Sequence, residues 1–164
     1  MLPPITATVT LTSEAPRDYV WRAFETVSRW PQVLPDLAEG WLDPAGQLEA
    51  GAVMRTKGAP GTMAVDMAYH LLEAERPHRL VTRSSAADFS AHTEYRFAEG
   101  ANNGTQVTVT GTVRAEKVSM RLYVAIQRSK HVELVQGSLE RRTRAMLTLA
   151  ETLWREEHPA DKPA

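Results

Sequence analysis

The sequence predicts an α+β fold: a strongly curved antiparallel sheet of about seven strands wrapped round one long C-terminal helix, with two short helices after the first strand. Three observations predict it. Runs that alternate apolar and polar residues with period two fill the middle of the chain, the mark of a sheet with one buried and one wet face. Clusters rich in Pro, Gly and Asn separate those runs: Asp43-Pro44-Ala45-Gly46, Gly58-Ala59-Pro60-Gly61, Arg76-Pro77-His78 and Glu99-Gly100-Ala101-Asn102-Asn103-Gly104. The C-terminal stretch then carries one unbroken helical stripe.

In chain order, Ile5, Ala7, Val9 and Leu11 alternate with Thr6, Thr8 and Thr10 as a first strand. A helix follows over about 15–28, with Ser13 as N-cap and Pro16 in the first turn; Val20, Phe24 and Val27 at i, i+4 and i+7, joined by Ala23, form its inner face. Met63, Val65, Met67, Tyr69 and Leu71 read as one strand face, with Asp66 and His70 on the other. Phe89, Ala91, Thr93, Tyr95 and Phe97 oppose Ser90, His92, Glu94 and Arg96. Val107, Val109, Gly111 and Val113 oppose Thr108, Thr110, Thr112 and Arg114, with Gly111 a candidate bulge. From about Lys130 to Glu156 the stripe Val132, Val135, Leu139, Met146, Ala150 and Leu153 defines the long helix, which Pro159 closes. At ~1.5 Å per residue it is on the order of 40 Å long, enough to cross a whole sheet. A twisted sheet does not pack flat along such a helix, so inner side chains diverge at one end and a cavity can form there. This is a helix-grip architecture. The segment 118–130, with Val118, Met120, Leu122, Tyr123 and Ile126, either extends the helix or forms a separate amphipathic turn over the cavity mouth.

Composition limits the function. The 164 residues make one domain, 1–157, with a short disordered tail over 158–164. Nineteen basic against twenty acidic residues leave no positive excess to hold nucleic acid. The absence of cysteine removes disulfides, thiolate metal sites and cysteine nucleophiles. The N-terminus lacks a signal-peptide pattern and no run approaches the ~20 apolar residues of a membrane span, which predicts a cytoplasmic protein without stable membrane insertion.

The residues offer little dedicated chemistry. His70, His78, His92, His131 and His158 form no compact ligand spacing, so no metal is assigned. Asp66 and His70 share a strand face but lie ~13 Å apart along it. No phosphate-binding glycine loop and no G-x-S-x-G elbow occurs, so no nucleotide cofactor or serine triad is assigned. His92 and Glu94, with Arg96, read as a solvated outer face. On the terminal helix Thr143 falls inside the apolar stripe, where its hydroxyl is satisfied by the carbonyl of Leu139 or by a ligand or trapped water, and Gln136 falls at the edge. The facing of Arg55 and Arg83 does not follow from the pattern; an inward arginine would anchor a carboxylate or phenolate. Methionines and aromatics along the inner wall suit either a filled core or an adaptable pocket.

The stretch VWRAFETVSRWPQVLPDLAEGWL, with Trp21, then Trp30, Pro31 and Pro35, resembles the N-terminal signature of the polyketide cyclase/dehydrase-like proteins of the START, or birch-pollen-allergen-like, superfamily. EAGAVMRTK with its leading Gly51, the Pro-centred LLEAERPHRLVTR and the hairpin TEYRFAEGANNGTQVTVTGTV are similar to later parts of the same pattern, so the resemblance runs from about Ile5 to Trp154. It implies a helix-grip fold with a cavity for small hydrophobic or amphipathic molecules that are lipid-, polyketide- or quinone-like. The expected lining is Trp41, Met54, Met63, Val65, Met67, Tyr69, Arg83, Phe89, Tyr95, Val109, Tyr123, Leu139, Thr143 and Met146. No catalytic residue and no cofactor is assigned. A cyclase or dehydratase working by acid–base catalysis and a protein-interaction module are the alternatives, and a homodimer is left open.

Overall fold

The computed structural model describes residues 3–86 and 88–159 of the chain. Its elements are β1 (Ile5–Ser13), α1 (Arg17–Glu25), a 3-10 turn (Val27–Gln32), β2 (Leu37–Asp43), β3 (Val53–Gly58), β4 (Met67–Glu75), β5 (Arg79–Ala86), β6 (Phe89–Glu99), β7 (Thr105–Ala115), α2 (Val118–Ile126) and α3 (Arg128–Glu157). The seven strands form one antiparallel sheet in the order β1-β7-β6-β5-β4-β3-β2. Hairpins join β2 to β7 consecutively, and β1 lies beside β7. Ile5, Ala7 and Val9 are buried between exposed threonines, as period-two burial requires. On the outer face, Thr6, Thr8 and Thr10 pair their hydroxyls with Thr112, Thr110 and Thr108 at 3.2–3.4 Å. Of the tail, only His158 and Pro159 are described, and the His158 ring sits edge-on to Tyr19 at 5.8 Å; the rest lies outside the described residues.

Several local expectations are corrected. Ser13 does not cap α1: Pro16 holds the N-cap position, while the Ser13 hydroxyl accepts the Ala15 N–H and donates to Glu151. Gly111 is no bulge, since β7 keeps unbroken register through Ala7, Gly111 and Thr93. The register shifts fall instead between Leu37 and Glu39 and between Leu71 and Glu73. β4 starts at Met67, so Met63 and Val65 belong to a connection and not to a strand face. The cause is local: Gly61 takes φ +79°, the Ala59 N–H donates to the Asp36 carbonyl, and the Asp66 carboxylate accepts the Gly58 N–H at 3.1 Å. These bonds hold 59–66 off the ladder and take Asp66 away from the strand face of His70.

The core lies where α1, the 3-10 turn and the C-terminal half of α3 meet β1, β6 and β7. Trp21 packs edge-on to Phe97 at 6.1 Å, and the buried Trp30 indole N–H donates to the Ala23 carbonyl at 2.9 Å. The stripe of α3 is buried only from Thr143 to Leu153. No residue of its N-terminal half is fully buried. The 118–130 segment is a separate helix, α2, which breaks at Gln127 and seats Val124 on Ile5 and Ala115 in a small second cluster.

Candidate functional site

Under the unseated half of α3 lies a cavity of about 290 Å³. Its origin is in the sizes of the inward residues. One straight row across the sheet is Tyr69, Ser84, Ala91, Val113 and Ile5, and the next is Thr82, Thr93 and Gly111. Small side chains at the centres of both rows leave space that the adjoining row of Leu80, Tyr95 and Val109 fills. His131, Leu134, Val135, Ser138, Leu139 and Arg142 of α3 roof it, and Phe89 closes one side. Leu134 both lines the cavity and is well exposed, so the cavity opens along α3 there. Gly111 sets the approach of the helix: a Cβ on it would meet Leu139 Cδ1 at 2.9 Å.

The polar groups on this wall are few. Arg142 donates a short hydrogen bond to the Tyr69 hydroxyl, and its guanidinium carbon lies 4.7 Å from that ring's centroid. It makes no ion pair among the described residues; Asp36 acts on it only at longer range. Burial opposes its charge, but Tyr69, Tyr95 and Asp36 outweigh that effect and its pKa stands above the ordinary value. Burial raises the Tyr95 phenol, with Arg142 pulling the other way. The Tyr95 phenol thus stands beside a fixed cation that the Tyr69 oxygen steers. Thr82, Ser84 and Thr93 line the cavity, and their hydroxyls have no side-chain hydrogen bond among the described residues. The buried His131 Nε2 also lacks a partner, and its ring meets Tyr123 edge-on at 5.4 Å. Among the described residues no three acidic or histidine side chains converge to hold a metal ion.

Of the residues expected from the sequence, Tyr69, Phe89, Tyr95 and Leu139 meet in this cavity. Met54, Val109 and Met146 are buried in the main core instead. Thr143 is buried on the sheet-facing side of α3, yet its hydroxyl does not return to Leu139 as Thr148 and Thr152 do to Arg144 and Thr148. Met63 is fully exposed; with Val65, Met67 and Tyr69 it borders a second, open hollow of about 220 Å³ beside Thr56 and Arg142. Trp41 lies on the outer face with the Lys57 ammonium 5.7 Å from its ring centroid. Arg83 also points outward, opposite His70 and His92, because its neighbours Thr82 and Ser84 occupy the inner face. Arg55 faces outward too and pairs with Asp43 at 3.1 Å. Tyr123 stands half-exposed on α2. Glu94 is held on the outer face by Arg96 and Arg79, which keep its carboxyl below its ordinary pKa.

The residue that sequence reasoning missed is Arg142. Its signal was present: it falls three residues after Leu139 and four before Met146, on the stripe itself. His131 and Ser138 interrupt the same stripe. A larger depression of about 650 Å³, between β1 and the end of α3, is an open groove whose Glu14, Glu151, Arg155 and Ser13 satisfy one another.

Solved structures share the fold at low identity: the di-domain ARO/CYC BexL (18% identity, TM-score 0.68, 93% of this chain and 50% of that one) and the di-domain ARO/CYC StfQ from the steffimycin biosynthetic pathway (11%, 0.71, 92% and 51%). This chain spans about half of each di-domain protein. A START superfamily protein from Mycobacterium smegmatis matches over nearly its whole length (12%, 0.64, 90% and 98%). Comparison with curated protein sequences yields no match. A family model described as "Polyketide cyclase / dehydrase and lipid transport" matches residues 4–151, from the first strand to the seated half of α3. With nearly the whole helix-grip unit inside that match, the chain belongs to the polyketide cyclase / dehydrase and lipid transport family.

Proposed function

We infer that this chain binds a small, largely apolar molecule carrying an acidic or strongly polarised oxygen, held in the cavity between α3 and the sheet. The observation that carries this reading is Arg142, the one permanently charged side chain on the wall, steered by Tyr69 and left without a carboxylate. A part-buried guanidinium whose only hydrogen bond among the described residues is to a hydroxyl keeps donors free for a carboxylate or other polarised oxygen. The apolar walls take the body of the ligand, and the guanidinium with the two phenols takes its oxygen. A volume of about 290 Å³ suits a molecule of a few rings.

The family also supports a cyclase reading, which requires a base beside the anchored oxygen. The cavity-lining groups around Arg142 are phenols and aliphatic hydroxyls, with no carboxylate or imidazole among them. The one imidazole on the wall, His131, stands eleven residues earlier on α3, roughly 16 Å away along the axis. One enolate does not reach both. The geometry thus supports retention over turnover.

The test is fluorescence titration with anilinonaphthalene sulfonate, an apolar anion, against neutral N-phenylnaphthylamine. Arg142→Met should weaken the anion about ten- to hundredfold, the worth of a charge-assisted hydrogen bond, and leave the neutral probe nearly unchanged. Equal loss of both, or of neither, overturns the anchor. Deuterium uptake at the α-carbon of a small β-diketone, lost in His131→Gln, would restore the enzyme reading.

A further inference from the structure

We propose that α2 and the first turns of α3 form a reversible docking site for an anionic membrane surface. Val118, Leu122 and Ile126 recur at i, i+4 and i+8 and are 78%, 61% and 75% exposed. Leu134, 60% exposed, continues the apolar surface at the cavity opening. The opposite side of α2 is already used, with Met120 and Val124 packed on Ile5 and Ala115. The stripe therefore faces away from the domain on a convex helix and offers no groove to a partner side chain.

Charge selects the occupant. Residues 114–134 contain five Lys or Arg and two Glu, and Lys117 is paired with Asp88, which leaves a local positive excess in a chain whose net charge is −1. Among the described residues Arg121 and Arg128 bond neutral carbonyl oxygens, of Ala115, Pro3 and Pro4, and make no ion pair. Lys130 is exposed and makes no ion pair among the described residues. A second copy docked about a two-fold axis would press these cations against their own images. An anionic lipid surface meets both properties at once: headgroups neutralise the flanking cations and the interfacial layer receives the aliphatic stripe. At nine residues α2 lies on such a surface and does not cross it, and no helix among the described residues is long and apolar enough to span. Docked this way, the cavity opening at Leu134 faces the lipid.

Flotation with vesicles of phosphatidylcholine alone and of phosphatidylcholine with phosphatidylglycerol tests this on the full chain. Binding to the anionic vesicles alone, reversed by high salt, is expected. Leu122→Ser with Ile126→Ser should reduce it more than tenfold, and Lys130→Glu at least about fivefold. All three positions are exposed, so an unchanged thermal midpoint confirms folding. Binding to neither vesicle, or to both equally, overturns the proposal. A concentration-dependent dimer in light scattering that the double substitution dissociates assigns the stripe to self-association and also overturns it. No cavity ligand is needed, so failure here leaves the Arg142 reading untouched.

Discussion

Gly111 of β7 lies directly beneath Leu139 of α3, so close that a Cβ on the glycine would stand 2.9 Å from one leucine methyl and 3.0 Å from the other. The atoms it would meet are the far end of a flexible side chain, and the space beside them is the cavity. Gly111→Ala should therefore turn Leu139 into the cavity at under about 1 kcal/mol of stability. Affinity for either naphthalene probe should fall severalfold with little change in thermal midpoint. Adding Leu139→Ala should restore it; a double variant that stays weak would show that the glycine serves some other purpose.

Arg142 links binding to stability. Its guanidinium bonds the Tyr69 hydroxyl and lies over that ring, and Tyr69, Tyr95 and Asp36 favour its charge over the cost of burial. Arg142→Met should lower the thermal midpoint by a few degrees, on the order of 1 kcal/mol, while it weakens anion binding. Tyr69→Phe removes the oxygen that steers Arg142 and should weaken the anion a fewfold, leaving the neutral probe alone. Weakened binding of the neutral probe in step with the anion in Arg142→Met would mean that the arginine is purely structural.

The strands were legible because one face of each is buried, and burial on a pleated sheet writes a period of two into the chain. Phe89 to Phe97 and Val107 to Val113 face as that period demands. The same signal misled at Met63 and Val65, where alternation continues past the point at which Gly61 and the Asp66 carboxylate take the backbone off the ladder. Periodicity reports which residues share a face but not where hydrogen bonding stops. The cavity residues were harder for a different reason. Large apolar residues attract attention as lining, yet Met54, Val109 and Met146 fill the core. The empty space is made by Thr82, Ser84, Ala91, Thr93 and Gly111, whose small size is the signal.

The two halves of α3 should differ in energetics as they do in seating. Leu149 is fully buried against the core, while Leu134 stands over the cavity opening. Leu149→Ala should cost about 2–5 kcal/mol and Leu134→Ala under about 0.5 kcal/mol. Native-state hydrogen exchange should find amides of residues 143–153 opening near the global free energy and those of 131–138 well below it. Equal protection along the helix would contradict an unseated N-terminal half.

Acid should loosen the far end of α3 first. Glu157 accepts hydrogen bonds from Arg22 at 2.7 Å and from the Tyr19 hydroxyl at 2.6 Å, while Glu156 takes a two-point contact from Arg29 at 2.9 Å. The Arg22 bond, then the Tyr19 bond, lower the Glu157 pKa from 4.5 to about 2. A carboxyl depressed in the folded state stabilises it above the unfolded pKa, and that contribution disappears as pH falls through the folded one. The affected window is therefore about 4.5 down to about 2. Glu157→Gln should be less stable than the parent at neutral pH and should lose less on acidification. Thermal midpoints of the two proteins should converge toward about pH 2, where the parent carboxyl is itself half protonated. A gap that stays constant across that window would show that the contact acts through packing alone, without charge.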